Sequence, residues 1–250
     1  MITVAVVGAA GRMGATVCEA VNADPETEVV ARVDPHGGEG FAPSIEAVAD
    51  AGVDVVVDFT IHDAALATLH WCAANGVHAV VGTTGFTDAE IADLRARFDA
   101  SSVNAAIIPN FAIGAVLMMR FAEMAAPFFE TAEIVELHHD AKADAPSGTA
   151  MATAQRMAAA SSEWATDPTA TTVVEGARGG VGPAGIHVHA LRLRGMVAHQ
   201  EVILGTTGQT LTIRHDSYDR ASFMPGVLLA VKHIANEPGL TTGLDAFLGL

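Results

Sequence analysis

Apolar runs without polar alternation recur through the first half of the chain. Five of them are hydrophobic on both faces of an extended backbone, as buried strands of a parallel sheet are; they cover residues 2–8, 27–34, 53–60, 77–84 and 103–109. Segments with helical periodicity lie between them, at Arg12–Asn22, Asp63–Asn75 and Asp88–Asp99. Because strands alternate with helices, this half predicts an α/β fold with a Rossmann-like, doubly wound parallel sheet.

The pattern changes after Asn110. A helix is predicted over Ala112–Phe128, then a strand through AEIVELHH, then a helix that starts at Ser147. A loop rich in Gly, Pro and Thr follows, and after it come three strand-like runs without long helices between them. This α+β pattern predicts a second domain with a mostly antiparallel open sheet.

A last helix, over residues 222–237, is expected to return to the first domain. The predicted division is therefore a dinucleotide-binding domain made of residues 1–109 and 217–250, and a substrate-binding and oligomerisation domain made of residues 110–216.

Composition and charge narrow the possible functions. Half of the 250 residues are hydrophobic, and the formal net charge is −16 with no cluster of Lys and Arg. Such a chain cannot neutralise the phosphates of a nucleic acid, and it disfavours an anionic membrane. The longest apolar stretch, around Phe111–Met119, is far shorter than the roughly 20 residues of a membrane-spanning helix. With two cysteines that show no paired spacing, a cytoplasmic protein is predicted.

A glycine-rich turn joins the first strand to the first helix. The segment VAVVGAAGRMG places Gly8, Gly11 and Gly14 where they allow a tight turn and let backbone N–H groups approach a pyrophosphate at the helix N-terminus. Arg12 in the turn either contacts phosphate or is solvated. The spacing is G-x-x-G-x-x-G, so a turn that only packs is the alternative, but the flanking strand and helix favour a dinucleotide site.

Asp34 follows the second strand, where an acid can bind the ribose hydroxyls of NAD. A carboxylate there repels a 2′-phosphate, and Pro35 follows it instead of an arginine. NADH is therefore expected to serve at least as well as NADPH.

Two further segments follow strands at the edge where ligands bind in such sheets. They are VGTTGF at 81–86 and IPNFAIG at 108–114. Their polar groups are expected near the nicotinamide: Gly82, Thr83, Thr84 and Asn110.

The stretch ELHHDAKADAPSGTA, residues 136–150, gathers two imidazoles, a lysine and a Ser-Gly-Thr turn. A zinc site would need three or four well-spaced ligands. His138 and His139 are adjacent on a predicted strand, so they point to opposite faces, and no metal is expected.

Lys142, in the loop after this strand, can supply a proton, because a cationic or desolvated surrounding makes an ammonium a better acid. Ser147 is a predicted helix cap that leaves the N–H groups of Gly148 and Thr149 for an anion. A proton donor beside an anion site suits the reduction of an unsaturated carboxylate, with hydride from the dinucleotide.

These residues resemble the signature of the 4-hydroxy-tetrahydrodipicolinate (dihydrodipicolinate) reductase family. The matching positions within EIVELHHDAKADAPSGTA are Glu133, Ile134, Glu136, His138, Lys142, Asp144 and Pro146 through Ala150. The segments GAAGRMG, VVDFT, VGTTGF, PNFAIG and HDSYDRASFMPGV extend the resemblance from end to end. It implies an NADH- or NADPH-dependent enzyme of lysine and diaminopimelate biosynthesis that reduces 4-hydroxy-tetrahydrodipicolinate to tetrahydrodipicolinate.

The resemblance also implies residue roles. His138 and Lys142 would be catalytic, with Lys142 protonating the carbon next to the hydride acceptor. The small dicarboxylate substrate would be bound by His139, Gly148, Thr149, Arg220 and Thr84. The dinucleotide would be bound by Gly8, Ala9, Ala10, Gly11, Arg12, Met13, Asp34, Gly82, Thr83, Thr84, Ile108, Pro109, Asn110 and Phe111. A homotetramer built through the sheet of the second domain is implied as well.

Two positions depart from the family pattern. Some members have arginine where this chain has Pro35, and a small residue is expected where it has Ile108.

Two other functions compete with the reductase. A dehydrogenase acting on another amino-acid precursor, such as an aspartate or homoserine dehydrogenase, would not require Lys142 with PSGT. A catalytically silent dinucleotide-binding regulator would not require the pair of His138 and Lys142.

Overall fold

The computed structural model describes all 250 residues and divides into two compact units. Unit 1 comprises Met1–Ile113 and Arg220–Leu250, and unit 2 comprises Gly114–Asp219. The boundaries predicted from the sequence lie a few residues before these.

Unit 1 contains a six-stranded parallel sheet with strand order β11-β5-β4-β3-β1-β2. Its strands are β1 (Ile2–Val7), β2 (Thr27–Val33), β3 (Val55–Asp58), β4 (His78–Val81), β5 (Ala105–Ile107) and β11 (Leu240–Thr242). Its helices are α1 (Arg12–Ala23), α2 (His62–Asn75), α3 (Asp88–Asp99) and α6 (Met224–His233). The predicted α/β, Rossmann-like sheet is confirmed, with β11 as a strand that the sequence did not predict.

The central strands of this sheet are buried on both faces. Val4–Val6 of β1 and Ala79–Val81 of β4 have no exposed surface, which explains why they read as unbroken apolar runs. Because all six strands are parallel, their carboxyl ends share one edge of the sheet. The segments that follow β1, β2, β4 and β5 therefore meet at that edge.

Unit 2 contains a five-stranded sheet with strand order β10-β9-β6-β8-β7. Its strands are β6 (Thr131–His138), β7 (Gly180–Val181), β8 (His187–Arg192), β9 (Ala198–Thr206) and β10 (Gln209–Ser217). Neighbouring strands are antiparallel except β6 and β8, which are parallel, so the mostly antiparallel sheet is confirmed. The helices are α4 (Ile113–Ala125) and α5 (Gly148–Ala160).

Helix α5 covers one face of this second sheet. Ala154 and Met157 of α5 are fully buried, and the Gln200 amide of β9 donates to the Thr153 hydroxyl at 2.8 Å. Alternation along β6 puts Ile134, Glu136 and His138 on this covered face. The residues between them lie on the opposite face.

The two cysteines, Cys18 and Cys72, are free and buried. Burial raises the pKa of both thiols, so both stay protonated at neutral pH. None of the helices is long and apolar enough to cross a bilayer.

Helix α3 begins with the capping box that its sequence predicts. The Glu90 N–H donates to the Thr87 hydroxyl at 3.3 Å, and the Glu90 carboxylate accepts the Thr87 N–H at 2.7 Å. Replacing Thr87 with alanine removes the hydroxyl acceptor and is expected to lower the free energy of unfolding by about 1 kcal/mol. Urea unfolding measures this loss. The control Thr87→Ser keeps the acceptor and should retain most of the stability; an alanine variant as stable as the parent would contradict the prediction.

Candidate active site

The glycine-rich turn after β1 is tightly folded against the end of β2. Gly8 has φ +76°, a conformation that favours glycine. The N–H groups of Gly8 and Ala9 both donate to the Val33 carbonyl, at 2.9 and 3.2 Å, and the Gly11 N–H donates to the Gly8 carbonyl at 3.0 Å. The turn is thus fixed by its own backbone before any ligand binds.

Helix α1 presents an uncapped N-terminus at this turn. Its N-cap is Gly11, no side chain caps it, and its first turn has no acidic residue. The N–H groups of Arg12, Met13 and Gly14 precede the first intrahelical bond, which the Ala15 N–H makes to the Gly11 carbonyl at 2.9 Å. Such a helix end suits an anion like a pyrophosphate. The Arg12 side chain is exposed beside it.

Asp34 follows β2 next to the glycine-rich turn. One carboxylate oxygen accepts the Ala10 N–H at 3.1 Å, and the other accepts the His36 N–H at 2.9 Å. Each oxygen of a carboxylate can accept a further hydrogen bond. Asp34 can therefore brace the turn and still accept from ribose hydroxyls.

The segment after β4 holds three of the predicted cofactor-binding residues. Thr83 is buried and its hydroxyl donates to the Thr60 carbonyl at 2.9 Å, whereas the Thr84 side chain is exposed. Gly82 lies against the ring of Phe59, where a Cβ atom would come within 2.2 Å of the ring. A side chain at this position would require the Phe59 ring to shift.

The segment after β5 holds four more of the predicted cofactor-binding residues. The Ile108 side chain is fully buried, so this position offers its backbone, as a small residue would. Pro109 is exposed and Asn110 is half-buried. Phe111 is buried, with its ring centroid 5.3 Å from that of Phe59. All predicted dinucleotide residues thus lie along the carboxyl edge of the first sheet.

In unit 2, the candidate catalytic cluster surrounds the end of β6. The His138 ring bonds through Nδ1 to Oε2 of Glu136 at 2.5 Å. Glu136 has no exposed surface. Arg192 of β8 donates to both of its oxygens at 2.9 Å, and the Ser147 N–H donates to Oε1 at 3.0 Å.

These contacts set the charges of the cluster. Burial favours the neutral form of Glu136, but hydrogen bonds from Arg192 and His138 outweigh it, and the pKa of Glu136 lies below its ordinary value. Burial lowers the pKa of His138, against the raising effect of Glu136. The site therefore holds an ionised Glu136 and a neutral His138 at neutral pH.

Lys142 lies in the turn that follows β6. Its backbone N–H donates to the His139 carbonyl at 3.2 Å, and its side-chain Nζ donates to Oδ1 of Asp144 at 2.8 Å. The hydrogen bond from Lys142 lowers the pKa of Asp144. The Lys142 side chain is 22% exposed, so its ammonium can reach both a ligand and solvent.

Helix α5 begins next to this cluster. Ser147 caps it as predicted, its hydroxyl accepting the Ala150 N–H at 3.2 Å. The N–H groups of Gly148 and Thr149 precede the first intrahelical bond, from the Met151 N–H to the Ser147 carbonyl at 3.1 Å. A second helix N-terminus that suits an anion thus lies near the proposed proton donor.

The structure gathers most of the predicted substrate residues, but not all, in unit 2. His139 is exposed just beyond β6. Thr84 and Arg220 belong to unit 1, where Arg220 is the exposed first residue of a 3₁₀ turn. No group of three or more His, Cys, Asp or Glu side chains is arranged to hold a metal ion.

Sequence reasoning assigned no role to three residues that bond to this cluster: Glu136, Asp144 and Arg192. A signal for Glu136 was present, because residues two apart on a strand share a face, which pairs it with His138. No local pattern could identify Arg192, which is 56 positions from Glu136 and meets it through the pairing of β6 with β8.

Two family models match this chain. "Dihydrodipicolinate reductase, N-terminus" matches residues 2–111, and "Dihydrodipicolinate reductase, C-terminus" matches residues 114–248. The curated 4-hydroxy-tetrahydrodipicolinate reductases of Thermobifida fusca and Cutibacterium acnes are 54% and 52% identical to it, with 100% of each chain covered.

Solved structures show the same similarity. A dipicolinate-bound dihydrodipicolinate reductase from Paenisporosarcina sp. TG-14 superposes with a TM-score of 0.89 at 37% identity, covering 98% of this chain and 99% of that chain. GenD2 from gentamicin A biosynthesis, solved in complex with NAD, has a TM-score of 0.66 at 16% identity, covering 99% of this chain and 90% of its own. At this identity, the similarity to GenD2 shows a shared fold alone.

Proposed function

The chain belongs to the dihydrodipicolinate reductase family, and on that premise we propose how its residues carry out the reaction. It is a 4-hydroxy-tetrahydrodipicolinate reductase of lysine and diaminopimelate biosynthesis that uses NAD(P)H, as its sequence predicts. In the overall reaction the substrate loses its hydroxyl as water and gains a hydride and a proton. The product is tetrahydrodipicolinate. The observation that carries the assignment is Lys142 beside His138 and the N-terminus of α5.

The substrate carries two carboxylates, and a protein of net charge −16 must bind them with local positive groups. Within unit 2 the proposed donors are Lys142, His139 and the N–H groups of Gly148 and Thr149. We assign one carboxylate to the N-terminus of α5 and His139. Arg220 and Thr84 of unit 1 are proposed as further substrate contacts.

Lys142 is the better proton donor of the two catalytic candidates. Its ammonium carries three N–H groups and bonds to Asp144, so protons remain for a ligand. His138 is neutral at neutral pH and directs Nδ1 toward Glu136, which leaves Nε2 for the substrate. In this assignment Lys142 protonates the ring and solvent restores the proton, while His138 accepts or relays one.

We assign the dinucleotide to the carboxyl edge of the first sheet. The pyrophosphate binds at the N-terminus of α1, the adenosine ribose at Asp34, and the nicotinamide near Gly82–Thr84 and Ile108–Phe111. When bound, NAD(P)H supplies the hydride; the chain's residues orient it and exclude water.

Asp34 gives a testable preference between the two cofactors. We expect kcat/KM with NADH to equal or exceed that with NADPH, because a carboxylate beside a 2′-phosphate is repulsive. Asp34→Asn keeps the shape and removes the charge, so it should raise kcat/KM with NADPH by at least about tenfold, since a like-charge contact costs several kcal/mol and each ~1.4 kcal/mol is tenfold. The control Asp34→Glu should keep the wild-type preference. Unchanged NADPH kinetics in Asp34→Asn would show that Asp34 does not face the 2′ position.

A coupled assay tests the reaction itself. The preceding synthase generates the substrate in place, and the loss of NADH absorbance is followed after the chain is added. We expect NADH oxidation that depends on the synthase, and none with aspartate semialdehyde alone, the compound that a homoserine dehydrogenase would reduce. Absence of oxidation with both cofactors would overturn the assignment, and tight NADH binding without turnover would favour the silent regulator.

We further propose a homotetramer built on the open face of the second sheet. Helix α5 covers the opposite face, whereas half-exposed apolar side chains remain on this one, at Val135 and Leu137 of β6 and Ile203 of β9. A second copy of the chain would bury them. Light scattering should give four times the mass of one chain; a monomer would contradict the proposal.

The proposed location is the cytoplasm. Free, buried cysteines fit a reducing compartment, and NAD(P)H is available there. Because of the strong negative charge, we expect no nucleic-acid or membrane partner.

A further inference from the structure

The signature residue Glu136 takes part in no proposed step of the reaction, yet its carboxylate connects the residues of the active cluster. Its buried carboxylate takes part in four hydrogen bonds, two with Arg192, one with the His138 ring and one with the Ser147 N–H. One carboxylate thus contacts the catalytic imidazole and the cap of the helix whose N-terminus is assigned to the substrate.

We propose that Glu136, held by Arg192, is a positioning residue that fixes the tautomer of His138 and the place of the α5 N-terminus. The proposal rests on the function assigned to His138 and Lys142 above. It adds a specific requirement, that His138 carry its proton on Nδ1 and offer an unprotonated Nε2 to the substrate.

The tautomer follows from the chemistry of the partners. An ionised carboxylate only accepts hydrogen bonds, so the ring nitrogen at 2.5 Å from it must be the one that donates. In a neutral imidazole the other nitrogen is then an acceptor. Carboxylates orient imidazoles in this way in metal sites and hydrolase triads.

Arg192 keeps the Glu136 carboxylate ionised although it is buried away from solvent. Burying a lone carboxylate is costly, and a bidentate guanidinium offsets the cost. The same guanidinium also donates to the Asp144 carbonyl at 2.6 Å, and Asp144 bonds to Lys142. The Glu136–Arg192 pair is therefore connected to both proposed proton carriers.

The charged groups that face His138 are Glu136 from its own strand, Arg192 from β8 and Lys142 from the following turn. The two cations disfavour the imidazolium, and Glu136 is the group that favours it. Removing the charge of Glu136 should therefore lower the pKa of His138 further. The acid limb of the kcat/KM profile, where neutral His138 becomes charged, should move to lower pH.

Glu136→Gln is the decisive variant. A glutamine that accepts from Arg192 with its oxygen must turn its NH₂ toward His138, which forces Nδ1 to accept and moves the ring proton to Nε2. We expect kcat to fall by roughly 100-fold or more, as when a triad aspartate becomes asparagine, with the KM for NADH little changed.

The chain contains a matched control on the other face of the same strand. Glu133 bonds to Arg178 at 2.5 Å and to Nε2 of His189 at 2.6 Å, so it repeats the Glu–Arg–His arrangement away from α5. Glu133 lies on the face proposed for the tetramer, so light scattering first checks that Glu133→Gln keeps the mass of the parent; it should then keep the wild-type pH profile and most of kcat. Similar losses of kcat in both variants, or an unshifted pH profile in Glu136→Gln, would overturn the proposal.

A spectroscopic measurement on the wild-type protein does not depend on the folding of Glu136→Gln. Nitrogen-15 chemical shifts of the imidazoles report which nitrogen carries the proton, and the His138 signal is assigned by its loss in His138→Asn. A protonated Nδ1 is the expected result, and a protonated Nε2 would overturn the proposal. Turnover by the wild-type enzyme is established first in the coupled assay, so failure of this proposal is distinct from failure of the assigned reaction.

Discussion

Replacing Lys142 with alanine is expected to lower kcat by roughly 100-fold or more, the size of effect that a positioned general acid supplies. Lys142 lies in a turn and its ammonium bonds to Asp144, which leaves further N–H groups of the ammonium for a ligand. Steady-state rates in the coupled assay measure the effect. The KM for NADH should change little, because the proposed NADH residues belong to unit 1.

The chain provides a matched control, because it contains two lysines. Lys232 of α6 bonds to Asp24 at 2.8 Å and to Glu26 at 2.5 Å, both within unit 1. Lys232→Ala removes the same ammonium group from an ion pair that has no proposed role in the reaction. It should leave kcat unchanged while thermal stability falls. If Lys142→Ala kept most of its kcat, the proton would have to come from water or from His138.

The parallel sheet could be predicted because its strands are buried on both faces. Val55–Asp58 has almost no exposed surface and three of its four residues are valine, so the apolar run is visible in the sequence without knowledge of the neighbouring strands. Helix starts were equally local: Thr87 and Ser147 cap α3 and α5 through side chains that the sequence shows directly. The ends of these strands then located the candidate cofactor residues, since parallel strands share one carboxyl edge.

Features that depend on pairing between distant segments could not be predicted. Strands β7 and β11, of two and three residues, are too short to show a periodicity in the sequence. They form because they pair with neighbouring strands. The parallel pairing of β6 with β8 places Arg192 opposite His138, and this register is what completes the Glu136 cluster. The sequence therefore predicts the candidate reacting groups but not the ion pair that the structure places beside them.

Replacing Gly14 with alanine is expected to weaken NADH binding by at least about tenfold and to lower the free energy of unfolding by about 1–3 kcal/mol, the usual cost of overpacking. A Cβ atom there would lie 2.1 Å from the Gly8 carbonyl oxygen and 2.7 Å from the Ala9 Cα. Both are backbone atoms of the glycine-rich turn, so relief requires α1 to move away from β1. Alanine's better helix propensity, worth up to about 1 kcal/mol, is too small to compensate.

The comparison with Gly11 separates this steric effect from a general sensitivity of the turn. At Gly11, which has φ −71°, a Cβ atom would lie 3.1 Å from the Gly8 carbonyl oxygen, so a shift of a few tenths of an ångström relieves the contact. Gly11→Ala should therefore lose less stability than Gly14→Ala in urea unfolding without ligand. NADH titration of both variants completes the test. If Gly14→Ala bound NADH as tightly as the parent, the close packing of α1 on β1 would not be what shapes the pyrophosphate site.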